Sequence, residues 1–348
     1  MDSLTQAVLG AAVQGAGMGK QQGRKALAYG AILGTLPDLD VLIRYADPVS
    51  SMTYHRGFTH SIFLLVTLAA LIAWAVKKRW PDAPYTAQRL FWITAAALVT
   101  HPLIDACTVY GTQLLWPFTP TPQQWSAVFI IDPLYTVPML AALIAILWRG
   151  ITRTTHTALL YALTFSTAYL IWGGYGQWHH EHRVADHLQR QGIAVKRIMA
   201  TPLPLNTLAF RVVAETDNGD YIEAISGWFD HTAPEHIRLP QGLAHSETLR
   251  DHTLYQRLHW FADGWLRIDE TDDKLIVSDL RMGISGALTF RFVMAERTGD
   301  HWHNITPYRY GEEFPDLSAM MQHLWPRIWR GEALPLGEWA GITPPPKP

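Results

Sequence analysis

Ile62-Phe63-Leu64-Leu65-Val66-Thr67-Leu68-Ala69-Ala70-Leu71-Ile72-Ala73-Trp74-Ala75-Val76-Lys77-Lys78-Arg79 decides how the chain is read. From Ile62 to Val76 it holds no ionisable side chain, and three consecutive basic residues then end it. The stretch belongs to an apolar run over 58–76, and comparable runs lie at 3–19, 26–46, 88–109, 127–148 and 157–178. Most approach the ~20 residues a helix needs to cross a bilayer. The expected fold for residues 1–178 is an α-helical membrane bundle of about five or six transmembrane helices. A buried bundle of a soluble protein is the weaker alternative, because the quoted run is bare of charge. The run at 3–19 is the least secure span, since its Gly and Ala equally suit close packing between helices.

Composition narrows the class. The 348 residues are 49% hydrophobic and 17% charged, with a formal net charge of −2. That balance gives no bulk attraction to nucleic acid, and no direct nucleic-acid binding is expected. Cys107 is the single cysteine, which excludes an internal disulfide and zinc sites built from several thiolates. Met1 to Leu9 carries Asp2 and no basic stretch, unlike the start of a cleavable signal peptide, and is read as part of the mature protein.

Basic residues set an expected orientation. Lys20, Arg24, Lys25, Lys77, Lys78, Arg79, Arg89, Arg149 and Arg153 fall in alternate loops, and the opposite loops hold only Arg44 and Arg56. The positive-inside rule puts the larger set in the cytoplasm. The expected location is a bacterial inner membrane, crossed several times, with everything after Trp178 extracytoplasmic. In that frame Asp38, Asp40, His55, His60, His101, Asp105 and Asp132 collect at the outer face.

Beyond Trp178 the pattern changes. Phe210–Glu215, Tyr221–Ile225, Leu275–Val277 and Leu288–Val293 alternate or cluster as strands do, and Asp217-Asn218-Gly219-Asp220 is a hairpin turn signal. Residues 179–340 are expected to form an extracytoplasmic, mainly antiparallel β domain with a helix near Leu317–Trp329. The Pro-rich tail at 341–348 is expected to be disordered.

Three motifs carry chemistry. His101 and Asp105 stand four apart on a predicted helix, so one face presents both, as two ligands or as a ligand and its orienting partner. The bland reading is a buried His–Asp hydrogen bond. His55 and His60 flank Gly57, as suits two ligands on a loop entering a helix. Between them Arg56 is equally an anion-binding group or an interfacial arginine against lipid headgroups. Asp38 and Asp40, beside Pro37, are a ligand and a base or a pair of capping carboxylates. Asp132 before Pro133 is a ligand or a helix N-cap. Ionisable groups within apolar segments are costly, and a shared cation is the simplest compensation. His and Asp without Cys suit Zn²⁺, one or two ions, with Mn²⁺ as the alternative. Trp178-His179-His180-Glu181-His182 also looks metal-like, but it reads better as a solvated helix face.

Met1-Asp2-Ser3-Leu4-Thr5-Gln6, Gly34-Thr35-Leu36-Pro37-Asp38-Leu39-Asp40, His55-Arg56-Gly57-Phe58-Thr59-His60-Ser61 and His101-Pro102-Leu103-Ile104-Asp105 resemble the YdjM-like family. Its members are described as inner-membrane, metal-dependent hydrolases, some linked to the LexA-controlled damage response. The segment Thr201 to Val213 looks like longer members with a C-terminal domain. The resemblance implies a distant likeness to zinc-dependent phospholipase C and P1-type nucleases, and a ligand set of Asp38, Asp40, His55, His60, His101 and Asp105. Many relatives have His where this chain has Gln6, which puts a metal contact from the first segment in doubt.

The favoured expectation is a hydrolase acting on a lipid or lipid-linked phosphoester at the outer face of the inner membrane. Asp38 or Asp40 would act as ligand or base, and Arg56 would steady the anion. A metal-ion or proton transporter and a non-enzymatic envelope scaffold or sensor with a structural metal are the alternatives.

Overall fold

The computed structural model describes residues 1–118, 120–311 and 317–340. The expected Pro-rich tail at 341–348 lies outside the described residues. The chain divides into two compact units. One comprises 1–44, 54–174 and 204–206, and the other 45–53, 175–203 and 207–348.

The first unit is helical. Asp2 caps α1 (Ser3–Gln22) by accepting the Thr5 amide hydrogen. α2 (Lys25–Thr35) packs against α1 with almost nothing between the backbones. A Cβ added to Gly10 would lie 2.3 Å from the Gly30 carbonyl oxygen, so only glycine permits this approach. Pro37, which has no amide hydrogen to continue a helix, opens a short 3-10 helix, Pro37–Leu42. After α3 (Pro48–Tyr54) a second 3-10 turn, Phe58–His60, leads into α4 (Ile62–Arg79), whose N-cap is Ser61. α5 (Ala87–Ala106) and α6 (Pro133–Arg149) follow. The 38-residue α7 (Arg153–Arg190) contains the boundary between the units. The main core gathers Val8, Leu9 and Ala12 of α1 with Met139, Leu143 and Ile146 of α6 and Leu159 of α7.

The expected bundle of five or six membrane-spanning helices is not what forms. Among the described residues no single helix is long and apolar enough to cross a membrane. Pro48–His60 and Ile62–Arg79 reach the required length and composition only together, across a 47° bend. The reasons are local. The run at 26–46 yields an 11-residue helix, about 16 Å long, before Pro37 tightens the chain. α1 carries Gln6, Gln14, Lys20, Gln21 and Gln22, and α5 carries Gln88, Arg89, His101 and Asp105. α6 has 17 residues, and α4 ends in three basic ones. The orientation drawn from loop charges needs those spans and loses its basis with them.

The second unit is mainly β. β1 (Val195–Pro202), β2 (Ala209–Thr216), β3 (Asp220–Gly227) and β4 (Glu235–Pro240) form one antiparallel sheet in chain order. β2 and β3 pair in continuous register from Ala209–Gly227 to Glu215–Tyr221, closed by the turn read at 217–220. Val184 and Leu188, late in α7, cover one face of this sheet at Phe210, Val212 and Ile222. Two short helices, α8 (Ser246–Leu249) and α9 (Thr253–Phe261), precede β5 (Leu266–Thr271) and β6 (Lys274–Asp279). A small hairpin, β7 (Gly283–Ile284) and β8 (Ala287–Leu288), leads to β9 (Arg291–Thr298) and β10 (His301–Arg309). The second sheet has the order β10-β9-β6-β5 and is also antiparallel. The unit buries charge in ion pairs: Arg211 of β2 with Glu223 of β3 at 2.8 Å, and Arg281 with Asp279 at 2.6 Å. α10 (Leu317–Arg330) lies where a helix was expected.

Candidate metal centre

One turn of α5 places His101 above Asp105, both fully buried. The His101 Nδ1–H donates to the Gly34 carbonyl oxygen at 2.5 Å. A carbonyl can only accept, so this contact fixes the tautomer and leaves a lone pair on Nε2. His60, on the 3-10 turn Phe58–His60, is held in a parallel way. Its Nδ1 lies 3.0 Å from the Thr59 hydroxyl, which itself donates to Asp40 Oδ2 at 2.9 Å. With the hydroxyl proton committed to Asp40, Thr59 accepts from His60, and the His60 Nε2 lone pair also faces inward.

Four donor atoms then converge. His60 Nε2 and His101 Nε2 are 3.1 Å apart. Asp38 Oδ1 lies 3.5 Å from His60 Nε2 and 3.3 Å from His101 Nε2, and Asp105 Oδ2 lies 3.2 and 3.5 Å from the same atoms. A tetrahedral ion with ligand bonds of ~2.1 Å has donors about 3.4 Å apart, so the cage has the size of a zinc site. Asp38 Oδ1 and Asp105 Oδ2 are buried and receive no hydrogen bond. Orphaned carboxylate oxygens at the centre of a cage are what a cation would satisfy. The residues present fit the metal that the sequence implies.

Electrostatics agree. Burial opposes ionisation of Asp105, but Arg56, the N-terminal amine and the two imidazoles outweigh it and hold its carboxyl well below the usual range. Burial likewise works against the Asp38 carboxylate, and His101 and His60 overcome it. Burial lowers the His60 pKa, yet contacts with Asp105 and Asp38 raise it on balance. The interior of the cage calls for positive charge.

The remaining predicted residues fall into separate places. Asp40 and His55 join Asp38 in a second group, whose three donor atoms lie within 4.8 Å of one another. Both Asp40 oxygens are already engaged, Oδ1 with His55 Nδ1 at 2.9 Å and Oδ2 with the Arg56 amide and the Thr59 hydroxyl. Arg56 is only 4% exposed. Its Nη2 pairs with Asp105 Oδ1 at 3.2 Å, its Nη1 donates to Thr108, and its guanidinium lies over the Tyr110 ring. It holds Asp105 from behind. Asp132 does not join the cluster. It caps α6, accepting from the Leu134 and Tyr135 amides and from the Tyr169 hydroxyl, because Pro133 begins a helix whose first amides need an acceptor.

Several participants have roles that the sequence reading did not assign. Gln6 Nε2 donates to Asp105 Oδ1 at 3.0 Å, so this residue supports a ligand. The N-terminal amine contacts the same oxygen. Gly34 matters through its carbonyl, which no side-chain pattern reveals. The His-rich stretch after Trp178 is structural: His179 stacks on Trp228, and His180 donates to or accepts from Ser226 Oγ at 2.8 Å.

A helical domain enclosing a buried His₂Asp₂ cage, followed by antiparallel sheets, defines the class. The chain belongs to the YdjM inner membrane protein family, whose model matches residues 1–180. It is also 31% identical over 185 residues to the uncharacterized protein YfhP of Bacillus subtilis (strain 168), covering 50% of this chain and 52% of the relative. The chain thus spans about half the length of that curated relative. No solved structure matches.

Proposed function

We propose that the chain is a metal-dependent hydrolase whose substrate is a phosphoester, with a lipid or lipid-linked phosphoester as the favoured class. The single observation behind the reading is the four-donor cage with two carboxylate oxygens lacking any hydrogen bond. Asp38, His60, His101 and Asp105 would hold the ion, Zn²⁺ before Mn²⁺ from the donor set. When bound, it would supply Lewis acidity for a phosphoryl oxygen and an activated water at neutral pH.

The chain's own residues divide the other tasks. Gly34 and Thr59 keep both imidazoles in the tautomer that points Nε2 inward. Arg56 and Gln6 neutralise and orient Asp105. Asp40 holds His55 Nδ1, which leaves His55 Nε2 to take up or release a proton, and the His55 side chain is 23% exposed. His55 is therefore the candidate general acid–base, and Asp40 its positioning residue. The alternative use of Asp38, Asp40 and His55 is a second ion.

Metal analysis of purified wild type, His101→Ala and His55→Gln, with phosphodiester and lipid-phosphate turnover measured on the same samples, tests this. The wild type should hold metal and turn over, His101→Ala should lose both, and His55→Gln should keep the cage ion while losing turnover. Metal without turnover on either substrate in the wild type would favour a structural site. Two ions per chain, falling to one in His55→Gln, would favour the second-ion reading.

A further inference from the structure

His55 and Arg56 form the centre of a strained turn that is tied down on both sides. The Gly57 amide donates to the Tyr54 carbonyl oxygen at 3.0 Å and closes four residues around them. Within the turn Arg56 has φ 60°, a backbone that residues other than glycine rarely adopt. Such strain persists only where the surroundings over-determine it. Downstream the ties belong to the metal centre. Asp40 accepts from the Arg56 amide at 3.1 Å and contacts His55 Nδ1 at 2.9 Å, and the Gln113 amide donates to the Arg56 carbonyl oxygen at 3.0 Å. Upstream the tie is Thr53, which is fully buried and belongs to the stretch 45–53 of the β unit. Arg257 of α9 donates to it twice, from Nε to the hydroxyl at 2.6 Å and from Nη2 to the carbonyl oxygen at 3.3 Å. α9 is itself a fixed seat, with Tyr255, Leu258 and Phe261 buried and the Phe261 carbonyl oxygen accepting from Arg281.

We propose that Arg257 is a positioning residue for the metal centre: by holding Thr53 it fixes the base of this turn, and so keeps His55 on Asp40 and Arg56 behind Asp105. The influence passes along the chain, since only Tyr54 separates Thr53 from His55. A planar guanidinium that reaches the hydroxyl and the carbonyl of one residue sets both the place and the orientation of that peptide. With the grip gone, the end of α3 is free to shift, and the turn loses one of the constraints that keep Arg56 in its left-handed backbone. The β unit thereby contributes to a centre whose ligands all lie in the helical unit. The acid–base task of His55 rests on the hydrolase reading; the hold on its turn does not.

Labelling of histidines with diethylpyrocarbonate, resolved by site with mass spectrometry on the full-length protein incubated with zinc, follows the turn without any need for turnover. The His55 side chain is 23% exposed and His303 is open, so His303 serves as the reference within each sample. In Arg257→Met the His55 rate should rise roughly fivefold, the scale of one hydrogen bond lost. Arg257→Lys should recover part of the difference, because one ammonium cannot reach both Thr53 acceptors in the same geometry. Should Arg257→Met fail to fold, Thr53→Val removes the hydroxyl alone and should raise the rate by a smaller factor. Ile222→Ala controls for destabilisation of the β unit, since its core cluster holds no residue of α9 or of 45–53, and it should leave His55 unchanged. A His55 rate equal to wild type in the folded variant, or an equal rise in Ile222→Ala, would overturn the proposal. On the same samples, a lower kcat at unchanged KM in Arg257→Met would tie the turn to hydrolysis. A wild type without turnover would remove the hydrolase reading and leave the labelling result standing.

Discussion

His60 Nε2 and His101 Nε2 face each other at 3.1 Å in a fully buried space. Each ring spends its Nδ1 hydrogen on a fixed acceptor, so the facing atoms are two lone pairs flanked by two carboxylate oxygens. Four acceptors at this spacing repel one another unless positive charge sits among them. The most direct consequence concerns metal removal. A chelator should lower the melting temperature, and added Zn²⁺ should restore it, since binding at a hundred times Kd adds about 2.7 kcal/mol. Calorimetry with and without chelator measures this.

Gly34→Ala should damage the cage from outside it. The new Cβ would lie 2.4 Å from the Gln6 carbonyl oxygen and 3.0 Å from Gly10 Cα, so α1 and α2 must separate. Overpacking of this kind costs ~1–3 kcal/mol, and it would also shift the carbonyl that fixes His101. Urea unfolding should show the loss, and metal content on the same sample should fall with it.

Arg56→Met removes the guanidinium while keeping much of its bulk. Asp105 would then stand buried with its strongest compensating charge gone. Breaking a buried pair on one side costs about 3–5 kcal/mol. Arg56→Lys should recover only part of this, because one ammonium cannot engage both Thr108 and Asp105 in the same geometry. Denaturant midpoints of the three proteins check the order.

His180 gives the β unit a dependence on acid. Burial, with His179 and Arg183 adding to it, pushes its pKa from 6.5 down to about 3. The folded value lies below the unfolded one, so between them the unfolded chain binds the extra proton. The associated stability is complete above pH 6.5 and declines as pH falls toward 3. His180→Gln should flatten that decline by up to ~1.4 kcal/mol per pH unit, read from urea midpoints in a pH series.

The residues of the site were more legible than the architecture that carries them. Spacing of four put His101 and Asp105 on one helical face, and that rule does not depend on what surrounds the helix. Asp38, Asp40, His55 and His60 come from two short segments whose convergence is tertiary, yet each stood out because a charge in an apolar context demands a partner. Hydropathy over 26–46 could not show that Pro37 would cut the run into a short helix and a 3-10 turn. Nor could it show that Arg56 would take a left-handed backbone, φ 60°, which turns its amide toward Asp40 and its side chain inward. Asp132 kept two readings open, and its three hydrogen bonds choose the cap.

The cage has two kinds of wall. His101 and Asp105 ride on one turn of a 20-residue helix and keep their spacing by its pitch, whereas Asp38 and His60 hang on brief segments fixed only by what they touch. A substitution within 37–61 can therefore displace the front of this centre while the rear pair keeps its spacing. The front pair, Asp38 and His60, is where a change in neighbouring contacts would first loosen the cage.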